Sequence, residues 1–194
     1  MRMSNFSTPL PQNPELQDFL VENAVSLFNR RDKYLLEIQI DEICMCARIA
    51  FYMQSWLWKQ GITDYVVDLE YNRGYAGIGK NTKRLDGGNI RLDLIVHKRG
   101  YDASAEGFTN IICIEMKKAS NPKGCDEDEV RLRKLTDPEF GFCYRAGYML
   151  YAEDKGRTRK MYIRQVFRGG KTANLTSEGR SSTVSDNNSH NRAD

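Results

Sequence analysis

Glu115 and Lys117 put a carboxylate and an ammonium two residues apart at the end of Asn110-Ile-Ile-Cys-Ile-Glu-Met-Lys-Lys118, a run that otherwise reads as a buried strand. Side chains alternate along a strand, so both share a face with the apolar residues before them. Ionised groups are costly to bury unless they are paired or bind a metal, so charges on such a face mark a site. A second apolar run, Ile90-Arg-Leu-Asp-Leu-Ile-Val96, makes the same exception at Asp93. Asp93 and Glu115 are 22 residues apart, room for one loop between neighbouring strands. If the strands pair, both acids can converge on one hard cation. Magnesium binds in this way, through one or two carboxylates, waters and substrate phosphate oxygens. Lys117 would orient a bound water or stabilise charge on the scissile phosphate, and in-line hydrolysis of a phosphodiester follows.

The elements that must position these residues can be read from periodicity. Residues 1–14, with three prolines, read as a loose lead-in. Glu15 to Arg30 has ragged helical spacing, and a longer helix starts near Asp41 and stops before Gly61. The period then changes to that of strands at Tyr65–Tyr71, at the Asp93 segment and at the Glu115 segment. A loop over 72–89 holds five glycines. The acids Asp126 to Glu129 followed by Arg131, Arg133 and Lys134 suit the two ends of a helix dipole, and that is the reading preferred over metal binding. Gly147–Tyr151 and Met161–Phe167 are two further strands. From Gly169 to Asp194 almost nothing is apolar, which predicts a disordered polar tail. The expected order is helix, helix, three strands, helix, two strands. It forms one domain over 15–168, of α/β class, with a central mixed sheet flanked by helices.

Composition excludes several classes. Hydrophobic content of 40% and charged content of 28% belong to an ordinary soluble domain. No stretch is long and apolar enough for a membrane span, and the start carries no secretory pattern, so the expected location is cytoplasmic. Five scattered cysteines argue for reduced core thiols rather than zinc or disulfides. The net charge of +3 diagnoses little, but Lys155 to Asp194 holds nine basic residues against three acids. Such a section can follow a phosphate backbone or simply be solvated. His97 lacks a partner that would make it a catalytic base and reads as partly buried. Gly74 to Gly79 leads into a strand, not a helix, so it is a loop rather than a nucleotide cradle.

Arg91-Leu-Asp-Leu-Ile-Val-His-Lys-Arg-Gly100 followed by the Glu115 segment resembles the PD-(D/E)XK nuclease superfamily, whose fold is that of restriction endonucleases. The likeness is greatest to small bacterial and phage members. Glu70-Tyr-Asn-Arg73 resembles their first strand, and Glu42 with Arg48-Ile-Ala-Phe-Tyr-Met53 resembles their helix pattern. The resemblance runs from Ile40 to Phe167 and implies a restriction-endonuclease-like core. It implies that Asp93 and Glu115 are metal ligands, with the main-chain carbonyl of Met116 as a further one. Lys117 is then the catalytic lysine, with Glu42 or Glu70 completing the site. Leu92 stands where the family name has proline, at a position that is not a ligand.

The function expected is Mg²⁺-dependent phosphodiester hydrolysis, with Mn²⁺ able to substitute and DNA the favoured substrate. Arg73, Lys80, Lys83, Arg84 and Lys118 are candidate phosphate contacts. A homodimer, or a protein partner that supplies specificity, fits a chain with little beyond its core. The alternative is a binding module that keeps the nuclease fold without turnover, acting in a phage–host conflict. Structural salt bridging of Lys117 to Glu115 or Asp93, and ordinary half-exposed roles for Glu42 and Glu70, are the competing readings of the same residues.

Overall fold

The computed structural model describes residues 9–72, 84–99 and 109–176. Helix α1 (Pro14–Arg31) begins where the Asn13 side chain accepts from Leu16 N at 3.0 Å and Pro14 presets the first turn. A short turn of helix, α2 (Tyr34–Glu37), leads to α3 (Glu42–Lys59), which stops at Gly61, held at φ +72°. Strand β1 (Val66–Tyr71) follows. A small hairpin, β2 (Arg84–Leu85) and β3 (Gly88–Asn89), precedes β4 (Leu92–His97) and β5 (Asn110–Lys118). Helix α4 (Cys125–Thr136) connects β5 to β6 (Ala146–Glu153), and β7 (Lys160–Arg168) and β8 (Lys171–Ala173) complete the chain.

The main sheet is mixed, with six strands ordered β1-β4-β5-β6-β7-β8. Strands β5 and β6 run parallel and every other pair is antiparallel. A parallel neighbour needs a crossover, and α4 provides it. Helices α1 and α3 cover one face, where Leu20, Phe28, Ile49 and Met53 pack with Ile112, Ile114, Met116 and Leu150. Leu132 and Leu135 of α4 cover the other, against Ile95, Cys113, Met149 and Phe167. The chain is therefore α/β, three layers deep, and β5 is central enough to be buried on both faces. Close approach of α4 depends on Gly147. A Cβ there would stand 3.2 Å from Thr136 Cγ2 and 3.3 Å from Leu132 Cδ2.

Both expected ends differ from the structure. Leu10 is buried and its carbonyl accepts from Gln17 Nε2 at 2.9 Å, so the lead-in is docked from Leu10 onward. At the other end the predicted tail contributes β8. Gly169 and Gly170, at φ +55° and +72°, turn the chain back onto β7, and Thr176 is then held by Asp18. Asp18 is fully buried, and it accepts from Thr176 N (2.7 Å), Thr176 Oγ1 (2.6 Å), Tyr148 OH (2.6 Å) and Arg168 Nη2 (2.5 Å). A buried carboxylate with its lone pairs filled offsets the low apolar content of this segment, which composition alone could not reveal. The hairpin β2–β3 lies inside the expected loop, turned by Asp86 and Gly87 at φ +52° and +79°.

Among the described residues the cysteines are all free, as expected. Cys46, Cys113 and Cys125 are core thiols, but Cys44 is exposed because it lies on the outer side of α3. His97 is buried and paired with Asp68 at 2.8 Å, while Arg99 closes the other side of that carboxylate. Burial would raise the Asp68 pKa, but these two partners hold it below its ordinary value. No described helix is long and apolar enough to cross a membrane.

Gly147→Val should overpack the α4–sheet contact and destabilise the fold by about 1–3 kcal/mol in a denaturant titration, whereas the exposed control Gly88→Ala, at a position free of a left-handed backbone, should not. Asp18→Ala strands Arg168 and frees Thr176, and should cost about 3–5 kcal/mol. Its Tm should fall by roughly 10 °C, and a Tm close to wild type would show that the tail is not held there.

Candidate active site

Strands β4 and β5 pair from His97/Asn110 down to Leu94/Ile114 and then part. At that point β5 shows its neighbour bare N–H groups, which must find other acceptors. Asp93 Oδ2 accepts from Met116 N at 2.8 Å. One step on, Glu42 Oε1 at the first position of α3 accepts from Lys118 N at 3.0 Å. Residues two apart in a strand direct their amides to the same edge. Two carboxylates from different elements thus continue the ladder that β4 leaves. The carbonyl of Met116 opens on the same edge as its N–H.

On the α4 side of β5, Glu115 is 2% exposed and lies beside Asp93. Burial, and then the charge of Asp93, hold Glu115 well above the usual carboxylate range, and Arg131 opposes this only in part. Asp93 is raised by burial against the pull of Met116 N–H, Glu115 and Lys117. Glu42 is raised by burial and by Asp93, with the Lys118 amide and Lys117 opposing. Burial works to lower the Lys117 pKa, but the pairing with Asp128 at 2.8 Å and the charges of Glu42 and Asp93 outweigh it. The lysine is therefore held as a cation.

Asp93, Glu115 and Lys117 are thus brought together, with Glu42, the acid that the resemblance implies, beside them. Two further members come from α4: Asp128, and Arg131, whose Nη1 lies 2.5 Å from Glu115 Oε1 and 2.9 Å from Asp128 Oδ1. The helix-dipole reading of the acidic cluster holds, with acids in the first turn of α4 and Arg133 and Lys134 in the last, but it left out a member of the site. Asp126, Glu127 and Glu129 do line the outside of the first turns, but Asp128 is 4% exposed and turned into the site. The sequence held the signal. Cys125, Asp128, Leu132 and Leu135 repeat at helical spacing, so Asp128 is a charge at an apolar-face position, as Asp93 is in its strand.

Other expected members lie elsewhere. Glu70 stands opposite Asp93 in β1, at φ +47°, but its carboxylate is 45% exposed and pairs with Arg91 at 3.4 Å. A left-handed residue breaks the regular alternation of a strand. Lys118 Nζ donates to the carbonyls of Ile40 (3.2 Å) and Gln39 (3.5 Å) and so ties down the entry to α3. Arg84 is exposed on the hairpin and donates to Asn89. Arg73, Lys80, Lys83 and the Gly74–Gly79 loop lie outside the described residues.

Among the described residues no three His, Cys, Asp or Glu side chains form a ready metal cluster. The donor set nevertheless fits magnesium, which needs only one or two carboxylates with water and phosphate oxygens. Asp93 and Glu115 offer adjacent oxygen donors in a buried setting that holds both pKa values up, and a divalent cation there would favour their charged forms. Comparison with protein-family models, with curated proteins and with solved structures gave no match.

An acid whose pKa is raised by folding holds its proton more tightly in the folded state, so its charge destabilises the fold as pH climbs from the unfolded value through the raised one. Asp93→Asn keeps an acceptor for the Met116 amide and removes that charge. It should raise Tm at about pH 7.5, with the gain vanishing by about pH 4 as wild-type Asp93 takes up its proton. A variant less stable than wild type at neutral pH would contradict this account of the site.

Proposed function

We propose that the chain is a metal-dependent nuclease with a restriction-endonuclease-like core of PD-(D/E)XK type, hydrolysing phosphodiester bonds, with DNA as the favoured substrate. One observation carries the reading: Asp93, Glu115 and Lys117 meet on one sheet face where β4 and β5 part, with Glu42 entering from α3. The run of elements from α3 through β1, β4, β5 and α4 to β6 agrees with that resemblance.

In this reading Asp93, Glu115 and the Met116 carbonyl hold Mg²⁺ or Mn²⁺. When bound, the ion supplies Lewis acidity, making a water more acidic and offsetting phosphate charge. Lys117 orients that water or stabilises the negative charge that develops on the phosphate, as a compact cation can. Asp128 is a positioning residue that fixes the lysine, and Arg131 holds the Glu115 carboxyl in place. Glu42 fixes the open edge of β5, and its charge acts on Lys117.

A second reading is favoured by the pairing itself. Lys117 with Asp128 and Arg131 with Glu115 neutralise one another without a metal, as a structural network would. The chain would then be a binding module on the same fold.

Incubation with supercoiled plasmid, linear duplex, single-stranded DNA and RNA, in Mg²⁺, Mn²⁺ or EDTA, separates the two. Metal-dependent cutting that falls by about 100-fold or more in Asp93→Ala and Lys117→Ala is expected. No cutting of any substrate, with nucleic-acid binding intact in both variants, would favour the binding module.

A further inference from the structure

Lys117 is the first of a row. It lies in register with Tyr151 on β6, and Tyr151 with Tyr162 on β7. Residues paired across a sheet share a face, and their neighbours Met116, Leu150 and Ile163 pack against the helices of the opposite side. Lys117, Tyr151 and Tyr162 therefore project together on the face that carries Asp93 and Glu115. Strands are spaced by about 4.8 Å, so Tyr162 stands two steps, roughly 10 Å, from the lysine.

The two rings form a platform. Their centroids are 5.7 Å apart and tilted by 48°, and both side chains are partly exposed. The Arg164 guanidinium lies 5.5 Å over the Tyr151 ring, and the Lys160 ammonium 5.6 Å from the centre of Tyr162. Arg164 also touches Glu129 at 3.5 Å yet remains 42% exposed. Beyond the rings, the β6–β7 turn exposes Lys155 and Arg157, while Glu153 lies across from Lys160 and Arg159 is turned to the Glu37 carbonyl. Stacking rings interleaved with cations beside a phosphate track are how proteins grip single-stranded nucleic acid, because only unpaired bases offer their faces.

We propose that Tyr151 and Tyr162 stack unpaired bases, so that the site takes single-stranded nucleic acid, with a backbone phosphate delivered to Lys117. The inference rests on the nuclease reading for its chemistry but not for its binding. The cations over the rings continue the stack, and the basic turn carries the strand away from the site.

The test uses the full chain with fluorescein-labelled oligothymidylate, oligouridylate and a hairpin duplex of equal length, in EDTA and separately in Ca²⁺, read by anisotropy. Single strands should bind about ten-fold or more tightly than the duplex. Tyr151→Leu and Tyr162→Leu should each weaken single-strand binding by about ten-fold, while Tyr151→Phe and Tyr162→Phe, which keep the ring, stay near wild type. The DNA and RNA arms decide which sugar is accepted. Leucine variants that bind single strands like wild type, phenylalanine variants as weak as the leucine ones, or preference for the duplex would overturn the platform. A parallel cleavage assay in Mg²⁺ keeps the two ideas apart. Ring-dependent binding without hydrolysis upholds the platform and sinks the nuclease, and hydrolysis indifferent to the rings does the reverse.

Discussion

Two backbone amides, those of Met116 and Lys118, govern the arrangement of this molecule's chemistry. They lie on the edge of β5 where β4 has left, and a buried N–H without an acceptor costs free energy comparable to a lost hydrogen bond. Asp93 and Glu42 supply the acceptors. Each acid is therefore held by the sheet, from one side by a strand and from the other by the start of α3. That requirement draws carboxylates toward Glu115 despite their repulsion. Burial above all, and neighbouring acids after it, hold the pKa values of all three acids up.

The cations have a parallel logic. A lysine at the rim of a sheet has many rotamers, and Asp128 restricts Lys117 to one charged position. Asp128 can do this only because α4 lies close to the sheet, and that closeness depends on the missing side chain at Gly147. Packing on the α4 face and the state of the lysine are thus linked through one helix. The opposite face is organised differently, by the apolar contacts of α1 and α3, with few charges apart from the enclosed Asp18.

Much of this was legible in the sequence. The central strands and the two long helices follow from periodicity, and Asp93, Glu115 and Lys117 stand out because charge interrupts an apolar pattern. Glu70, put forward only by the resemblance of Glu70-Tyr-Asn-Arg73, has a left-handed backbone and a carboxylate paired with Arg91, which no local pattern announces. Asp128 was obscured for the opposite reason: a first-turn acid has a sufficient local explanation in the helix dipole, and only its place in the apolar repeat says otherwise. The small hairpin was announced by Asp86-Gly87, a strong two-residue turn signal hidden among other glycines. The docked ends depend on long-range partners, as when Thr176 meets Asp18, and local composition carries no trace of those.

Asp18 also determines where the two ends of the described fold lie. Pro14 and Asp18 at the start of α1 meet Arg168 and Thr176, so the first and last elements close on each other. They do so on the α1 side of the sheet, behind the face that carries Lys117 and the tyrosines. A chain whose ends adjoin can be rewired: joined there and opened at another surface turn, it would keep the same core under a permuted sequence order.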